Sequence, residues 1–359
     1  MKDKIYDANF TRHETMSDDK TDWYEVTKSS FDIYGLPSEE LDVLTRRIPV
    51  EIAKEISSPG IGGMSAYGAG ARALFSTDSY FVSLRVEYGA GAIPTVCNHI
   101  FTYGFDLYKS DETGVETFIA TYRPPLDFDR EKCDYTASTK NGGVMTQYTL
   151  NFPHFSAVKK LYIGIQKGKK ICKGKKYKNE KPVVFYGSSI THGAAAGRPG
   201  NTYPNFISQK YNIDYVNLGF AGMARGEENM AKYIASLDMS VFVCDYDHNA
   251  YTLELLEETY YPFYRIIRDK HPNIPYIIVT RPDRRTNPRS DDEQRMAIIR
   301  SCYERAKAEG DENVYFINGD VFFEGEFRDS CTSDGCHPND IGFMRMAEVI
   351  GELVNSVLE

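Results

Sequence analysis

Halfway along the chain the spacing of apolar residues changes, and with it the kind of structure the polypeptide can build. Across 80–88, Val82, Leu84, Val86 and Tyr88 alternate with Ser83, Arg85 and Glu87. That period of two buries one face of a strand. Tyr148, Leu150 and Phe152 repeat it against Thr149 and Asn151, and Leu161, Ile163 and Ile165 repeat it again. Turn-rich segments separate these runs, among them 89–94 and Asn141-Gly142-Gly143. Short strands, turn signals and the lack of a long amphipathic helix predict an antiparallel β-sandwich.

A lysine-rich stretch at 167–181, interrupted by Gly168 and Gly174, then reads as a solvated hairpin tip or linker. It suggests two domains, 1–178 and 179–359. Beyond it, short apolar runs recur at 183–186, 215–218, 241–244, 276–279 and 314–317. Helical stretches separate them. One spans 290–309, with Ser290 and Glu293 as a capping box and Met296, Ile299, Tyr303 and Ala306 near helical spacing. A last amphipathic run carries Met346, Ile350, Leu353, Val354 and Val357. Strands alternating with helices predict an α/β domain, a parallel sheet with helices on both faces. Such sheets hold ligands at the carboxyl ends of their strands.

The 359 residues are enough for two such domains. With 42% apolar and 26% charged residues, the chain can bury sizeable cores without disulfides. A net charge of −9 argues against a nucleic-acid partner, which needs a basic footprint. No run is long enough to span a membrane. The start, MKDKIYDANF, lacks the apolar stretch of a secretory signal, so a cytoplasmic location is expected. The seven cysteines are scattered and read as free thiols. Cys331 and Cys336 lack zinc spacing, and neither a metal nor another cofactor is expected.

The strand-end rule selects the candidate residues. The first apolar run leads into Gly187-Ser188-Ser189-Ile190-Thr191-His192-Gly193. Gly187 permits a tight strand-to-helix turn, which puts Ser189 at the sheet's carboxyl edge. Serine needs a base to act as nucleophile; on these residues alone, either serine serves equally as a helix cap. The base comes from Ser333-Asp334-Gly335-Cys336-His337-Pro338, before the last helix. Asp334 can orient His337 and stabilise its cation. Asn217-Leu218-Gly219-Phe220-Ala221-Gly222 and Asp245-Tyr246-Asp247-His248-Asn249 follow the second and third strands. A glycine N–H of the first segment and the Asn249 side-chain amide fit an oxyanion hole. His192 and His248 are expected to pack or hydrogen-bond instead.

These four segments together resemble the SGNH hydrolases, also called GDSL-type esterases. The resemblance covers 181–359 and implies a flavodoxin-like sheet. It carries the nucleophile onto Ser189, the glycine block onto Gly219, the asparagine block onto Asn249, and the final block onto Asp334 and His337, and it implies Ser189, Gly219 and Asn249 as the oxyanion donors. Ser188 stands where the family usually has Asp, and Asp247 and Ala250 replace the Gly and Asp usual around the asparagine. The first half resembles the jelly-roll-like β-sandwich that precedes one bacterial branch. It does so through Tyr103-Gly104-Phe105-Asp106-Leu107-Tyr108, Phe75-Ser76-Thr77-Asp78-Ser79 and Leu150-Asn151-Phe152-Pro153. The resemblance implies a serine esterase acting on a small-molecule or oligosaccharide ester, with an acetylated sugar as the expected substrate. An acyltransferase sharing the acyl-enzyme and a non-catalytic carbohydrate-binding protein remain as alternatives. The segment 193–200 is small and partly charged, without the apolar lid of a long-chain lipase. Arg198 and Arg281 are candidates to face a hydroxyl-rich substrate.

Overall fold

A computed structural model describes residues 18–37, 43–139 and 141–359. The first ten residues, and with them the start of the expected 1–178 domain, lie outside the described residues. The first half folds as strands β1 (Thr21–Glu25), β2 (Asp32–Tyr34), β3 (Arg72–Thr77), β4 (Phe81–Gly91), β5 (Phe105–Ser110), β6 (Glu116–Tyr122), β7 (Cys133–Ser138), β8 (Thr146–Asn151), β9 (Ser156–Gln166) and β10 (Ile171–Lys173). Its helices are short: α1 (Val50–Glu55), α2 (Ile61–Met64) and α3 (His99–Tyr103).

Two antiparallel sheets result, in the orders β1-β9-β4-β7 and β10-β3-β8-β5-β6, with β2 also on β3. The alternating residues explain why they pack. Val82, Leu84, Val86, Leu161, Ile163 and Ile165 on one sheet meet Phe75, Leu107, Tyr148 and Leu150 on the other in a shared core. This is the expected sandwich. Two local readings change. Strand β4 continues through 89–91, where a turn was expected, because register shifts after Glu87 and Tyr88 let it stay paired with β9. Part of the lysine-rich stretch forms β10, which pairs with β3.

The second half supplies β11 (Val183–Gly187), β12 (Tyr215–Gly219), β13 (Val241–Asp245), β14 (Tyr276–Val279) and β15 (Val314–Ile317). Between and after them lie α4 (Ser189–His192), α5 (Tyr203–Tyr211), α6 (Glu228–Ser236), α7 (Leu253–Lys270), α8 (Asp292–Ala308) and α9 (Asp340–Leu358). All strand pairs are parallel, in the order β12-β11-β13-β14-β15, the flavodoxin-like order. The strands are mostly apolar because both faces are covered, with Asn217 in β12 and Asp245 at the end of β13 as buried polar residues. Val184, Tyr186, Leu218, Phe242 and Ile278 pack against Met230, Ile234, Phe263 and Ile299 of α6, α7 and α8. Val183, Phe185, Tyr215, Val243 and Ile277 pack against Ile207, Phe343, Met346 and Ile350 of α5 and α9. The chain leaves β11 toward β12 on one side and later crosses to β13 on the other. This reversal marks the switch point of the sheet, at whose carboxyl end α/β sheets hold ligands.

The capping box expected at Ser290 does not form. Helix α8 starts at Asp292. The Asp292 carboxylate accepts from the Arg289 N–H, and Glu293 pairs with Arg284 instead of reaching back to the backbone. Among the described residues no helix is long and apolar enough to cross a membrane.

Candidate active site

Strand β11 ends at Gly187, where a Cβ would lie 2.2 Å from both Asp245 O and Thr191 Oγ1. Only glycine lets α4 start this close to β13. The two serines divide their tasks. Ser188 is buried and its Oγ caps the helix, accepting the Ile190 N–H at 3.2 Å. Ser189 opens α4, and its Oγ lies 2.9 Å from His337 Nε2. His337 Nδ1 lies 2.8 Å from Asp334 Oδ2. The other carboxylate oxygen accepts the His337 N–H at 2.7 Å and the Cys336 N–H at 3.0 Å. Burial acts to raise the Asp334 carboxyl, but those backbone hydrogen bonds and the imidazole outweigh it and hold the group below its ordinary range.

The loop that carries this pair is closed on itself. Thr332 bridges Pro338, Ser333 N–H donates to His337 O, and Asn339 caps α9 through the Ile341 and Gly342 N–H groups. A serine, an imidazole and a carboxylate in a line of short contacts, at the carboxyl edge of a parallel sheet, can generate an oxygen nucleophile.

The turn after β12 differs from the reading of its sequence. The Gly219 N–H, expected to face an oxyanion, donates to the Asn217 side chain at 2.8 Å. Gly219 is needed for another reason: a Cβ there would lie 2.1 Å from His192 N and 2.6 Å from His192 Cα. Its bare flank lets α4 dock on β12. Further along, Gly222 takes a left-handed conformation, φ +74°. Its N–H and that of Ser189 have no partner among the described residues. Asn249 is nearly buried, and its Oδ1 accepts the Ala224 N–H at 3.3 Å. The amide Nδ2 is thereby left to donate outward. Two glycines three apart are both visible in the sequence; only the Asn217 hydrogen bond distinguishes them.

His192 and His154 are fully buried, and each donates a ring N–H to the other's backbone carbonyl: His154 Nδ1 to His192 O at 2.8 Å, His192 Nε2 to His154 O at 2.7 Å. His192 stacks on Phe155 at 4.0 Å. Burial holds the His154 imidazole down to about 3 and drives His192 well below its ordinary value, so both are neutral. Behind α4, burial and then the charge of Asp247 push the Asp245 carboxyl well up, and Thr191 Oγ1 donates to it.

His248, Asp283 and Cys336 gather their ligand atoms within 4.8 Å of one another. Arg281 already forks onto Asp283, with both contacts at 2.9 Å, and Arg289 lies 3.1 Å from His248 Nδ1. His248 Nε2 is 2.8 Å from Asp283 Oδ1. Burial, then the charges of Asp283 and Asp334, push the Cys336 thiol up to about 12. Two guanidinium groups and a protonated thiol make an ion-pair network, with the polarity opposite to what a cation needs.

The arginines expected to face substrate are otherwise engaged. Arg281 is fully buried. Arg198 reaches into the first half, where it pairs with Asp106 at 3.0 Å, bonds to Tyr108, and stacks over Phe118 at 4.1 Å. Asp106 also accepts the Gly200 N–H. The Gly-Phe-Asp-Leu-Tyr segment is therefore a clamp on the loop that follows α4. Sequence reading passed over Tyr251, an exposed residue at 57%. Its hydroxyl donates to Gly222 O at 2.7 Å, and the Arg225 guanidinium covers one face at 4.4 Å.

Comparison with known proteins agrees with this layout. The profile of the GDSL-like lipase/acylhydrolase family matches residues 180–355. The profile for the N-terminus of SGNH-hydrolase-type esterases matches residues 21–171. No protein of curated function matches the sequence. Among solved structures, a protein from Bacteroides ovatus described as a GDSL-like lipase is 24% identical, with TM-score 0.84 over 94% of this chain and 98% of its own. SsfX3, a salicylyl-acyltransferase from a tetracycline biosynthetic pathway, is 19% identical, with TM-score 0.76 over 94% and 97%. Est2A, an acetyl xylan esterase from Butyrivibrio proteoclasticus, is 13% identical, with TM-score 0.58 over 94% and 99%. At these identities the likeness is one of fold.

Proposed function

The chain belongs to the SGNH, or GDSL-type, hydrolase family, in the branch with an N-terminal β-sandwich, and from that premise we propose that it is a serine esterase removing acetyl groups from carbohydrates. The observation that carries the proposal is the continuous line Ser189 Oγ, His337 Nε2, His337 Nδ1, Asp334 Oδ2, with links of 2.9 and 2.8 Å. In this reading Ser189 Oγ attacks the acyl carbonyl while His337 Nε2 takes its proton. Asp334 keeps Nδ1 protonated and stabilises the imidazolium. The N–H groups of Ser189 and Gly222 and the Asn249 amide receive the oxyanion, a contribution of several kcal/mol in enzymes of this kind. As the tetrahedral species collapses, the alcohol leaves with the proton from His337. Water then enters, gives a proton to the same nitrogen and releases the acid, restoring Ser189.

The substrate assignment draws on the surroundings. Tyr251 offers an exposed ring held in place by two hydrogen bonds beside Gly222. Such a ring suits a sugar face. The loop after α4 is clamped by Asp106 and is built of small residues, which disfavours a long acyl chain. A non-catalytic carbohydrate-binding chain has no use for the aligned serine, imidazole and carboxylate. An acyltransferase would use the same acyl-enzyme, and the shared layout with SsfX3 favours keeping that reading in the assay.

The test is a substrate panel: acetylated oligosaccharides, acetyl to decanoyl esters of one alcohol, and a sugar acceptor in excess. Faster turnover of acetyl than of long-chain esters, with free acetate as product, supports the proposal. Faster turnover of long chains sinks the substrate assignment, and acyl transfer to the acceptor in place of acetate release favours the transferase.

A further inference from the structure

Arg47 lies in the first half, between β2 and α1, yet its guanidinium ends at the active-site edge of the parallel sheet. The residue is fully buried. Among the described residues no carboxylate pairs with it. Nε donates to Tyr67 O at 2.8 Å and Nη2 to Met64 O at 2.8 Å. Nη1 forks onto Asn217 O and Gly219 O, both at 2.9 Å. The guanidinium also lies over the Phe220 ring, 4.5 Å from its centre. A buried charge without a counter-ion is costly. Here it is balanced by carbonyl dipoles and an aromatic face, and two of those carbonyls belong to the end of β12.

Those contacts fix a particular peptide. The Gly219 carbonyl is held by Arg47, and the N–H on the other side of that peptide, from Phe220, donates to Gly187 O at 2.9 Å. Gly187 is two residues before Ser189. The next carbonyl, Phe220 O, accepts the Met223 and Ala224 N–H groups and so shapes the turn that contains Gly222. Ala224 in turn donates to Asn249. One side chain from the sandwich thus holds the start of a chain of hydrogen bonds that links the nucleophile turn, the Gly222 turn and Asn249.

We propose that Arg47 is a positioning residue for catalysis, through which the N-terminal half holds the Gly219–Gly222 turn where its free N–H meets the developing oxyanion. The inference rests on the reading of Ser189 as nucleophile and of this turn as part of the oxyanion site.

The fold contains its own control. Arg72, on β3, is equally buried and reaches the opposite end of the same strand. It donates to Tyr215 O at 3.2 Å, pairs with Asp214 at 2.5 Å and stacks over Tyr215 at 4.0 Å. Both arginines tie the two halves together, but only Arg47 does so at the carboxyl edge. Arg47→Lys and Arg72→Lys would be compared with wild type by thermal unfolding and by kcat and KM on p-nitrophenyl acetate. Labelling of Ser189 by a fluorophosphonate would be followed in parallel. Removing one oxyanion donor costs roughly 10²- to 10³-fold in kcat. A displaced donor should therefore cost roughly tenfold or more, with KM within about threefold. Arg72→Lys should lose comparable stability while keeping kcat within about threefold. Phe220→Leu, which removes the ring beneath the guanidinium, should lower kcat in the same sense and covers the case in which Arg47→Lys does not fold. A folded Arg47→Lys with wild-type kcat overturns the inference, as does Phe220→Leu with wild-type kcat. Equal kcat losses in the two arginine variants overturn it too. Fluorophosphonate labelling of wild type at a residue other than Ser189 removes the underlying reading, and the inference with it. Labelling at Ser189 with an unaffected Arg47 variant removes the inference alone.

Discussion

Replacing Gly219 by alanine tests the packing that sets the nucleophile in place. The added Cβ would meet His192 N at 2.1 Å, His192 Cα at 2.6 Å and Thr191 C at 2.6 Å. Ordinary contact begins at 3.4 Å, so something must move by about 1.3 Å. None of the three atoms is the far end of a flexible side chain. All are backbone of α4, the four-residue helix that starts at Ser189. The opposite side gives little, because Arg47 and Asn217 hold the Gly219 carbonyl and N–H. The helix must therefore shift relative to His337, whose loop is fixed separately by its own bridge and cap. A misplacement of about 1 Å costs roughly a hundredfold in rate, and overpacking costs about 1–3 kcal/mol of stability. Chemical denaturation and steady-state turnover of p-nitrophenyl acetate measure the two. A folded Gly219→Ala enzyme with kcat within threefold of wild type would refute the reasoning, since the serine would then tolerate the displacement.

Asp334→Asn should keep the fold and lower kcat roughly 10³- to 10⁴-fold, because an amide cannot stabilise the imidazolium or enforce the Nδ1–H form; a loss under tenfold argues that His337 is oriented by something else. The buried histidines predict acid sensitivity. His154 is held to about 3 in the folded protein, against ~6.5 for a free imidazole, so the unfolded chain takes the proton first as pH falls. Its contribution is whole above ~6.5 and is lost below that value at about 1.4 kcal/mol per pH unit, down to the folded value. Glu116, raised to about 7 by burial, and the raised Asp106, Asp214 and Asp245 carboxyls act in the opposite direction. The measurement is therefore a difference: between pH 6.5 and 5.5, wild type should lose about 1 kcal/mol more than His154→Gln by urea denaturation, and equal losses would show that the imidazole is protonated in the fold.

What the sequence disclosed follows from what was buried on which side. The five parallel strands are covered on both faces, so they stand out as short, mostly apolar runs within one residue of their observed bounds. The sandwich strands are covered on one face and stand out by alternation. Ser189, Asn249 and the Asp334–His337 loop were legible because each follows a strand whose end the fold brings to one edge. Residues that act across the two halves were not. Nothing local to Arg46-Arg47 says that the second guanidinium crosses to Gly219 O. Arg198 and Arg281 looked free for the same reason, although their partners Asp106 and Asp283 are buried carboxylates. The exchange of Gly219 for Gly222 as the free donor depends on one side-chain hydrogen bond, from Asn217, that no spacing rule contains.

The central claim is that Ser189 carries the acyl group. Incubating the enzyme with a fluorophosphonate and mapping the adduct by peptide mass spectrometry reads this directly, alongside the turnover of Ser189→Ala. The account predicts one phosphonyl group, on Ser189, no adduct on the folded Ser189→Ala variant, and a rate reduced roughly a millionfold. An adduct on another residue, or a folded Ser189→Ala variant that keeps more than about a tenth of the wild-type rate, would contradict it.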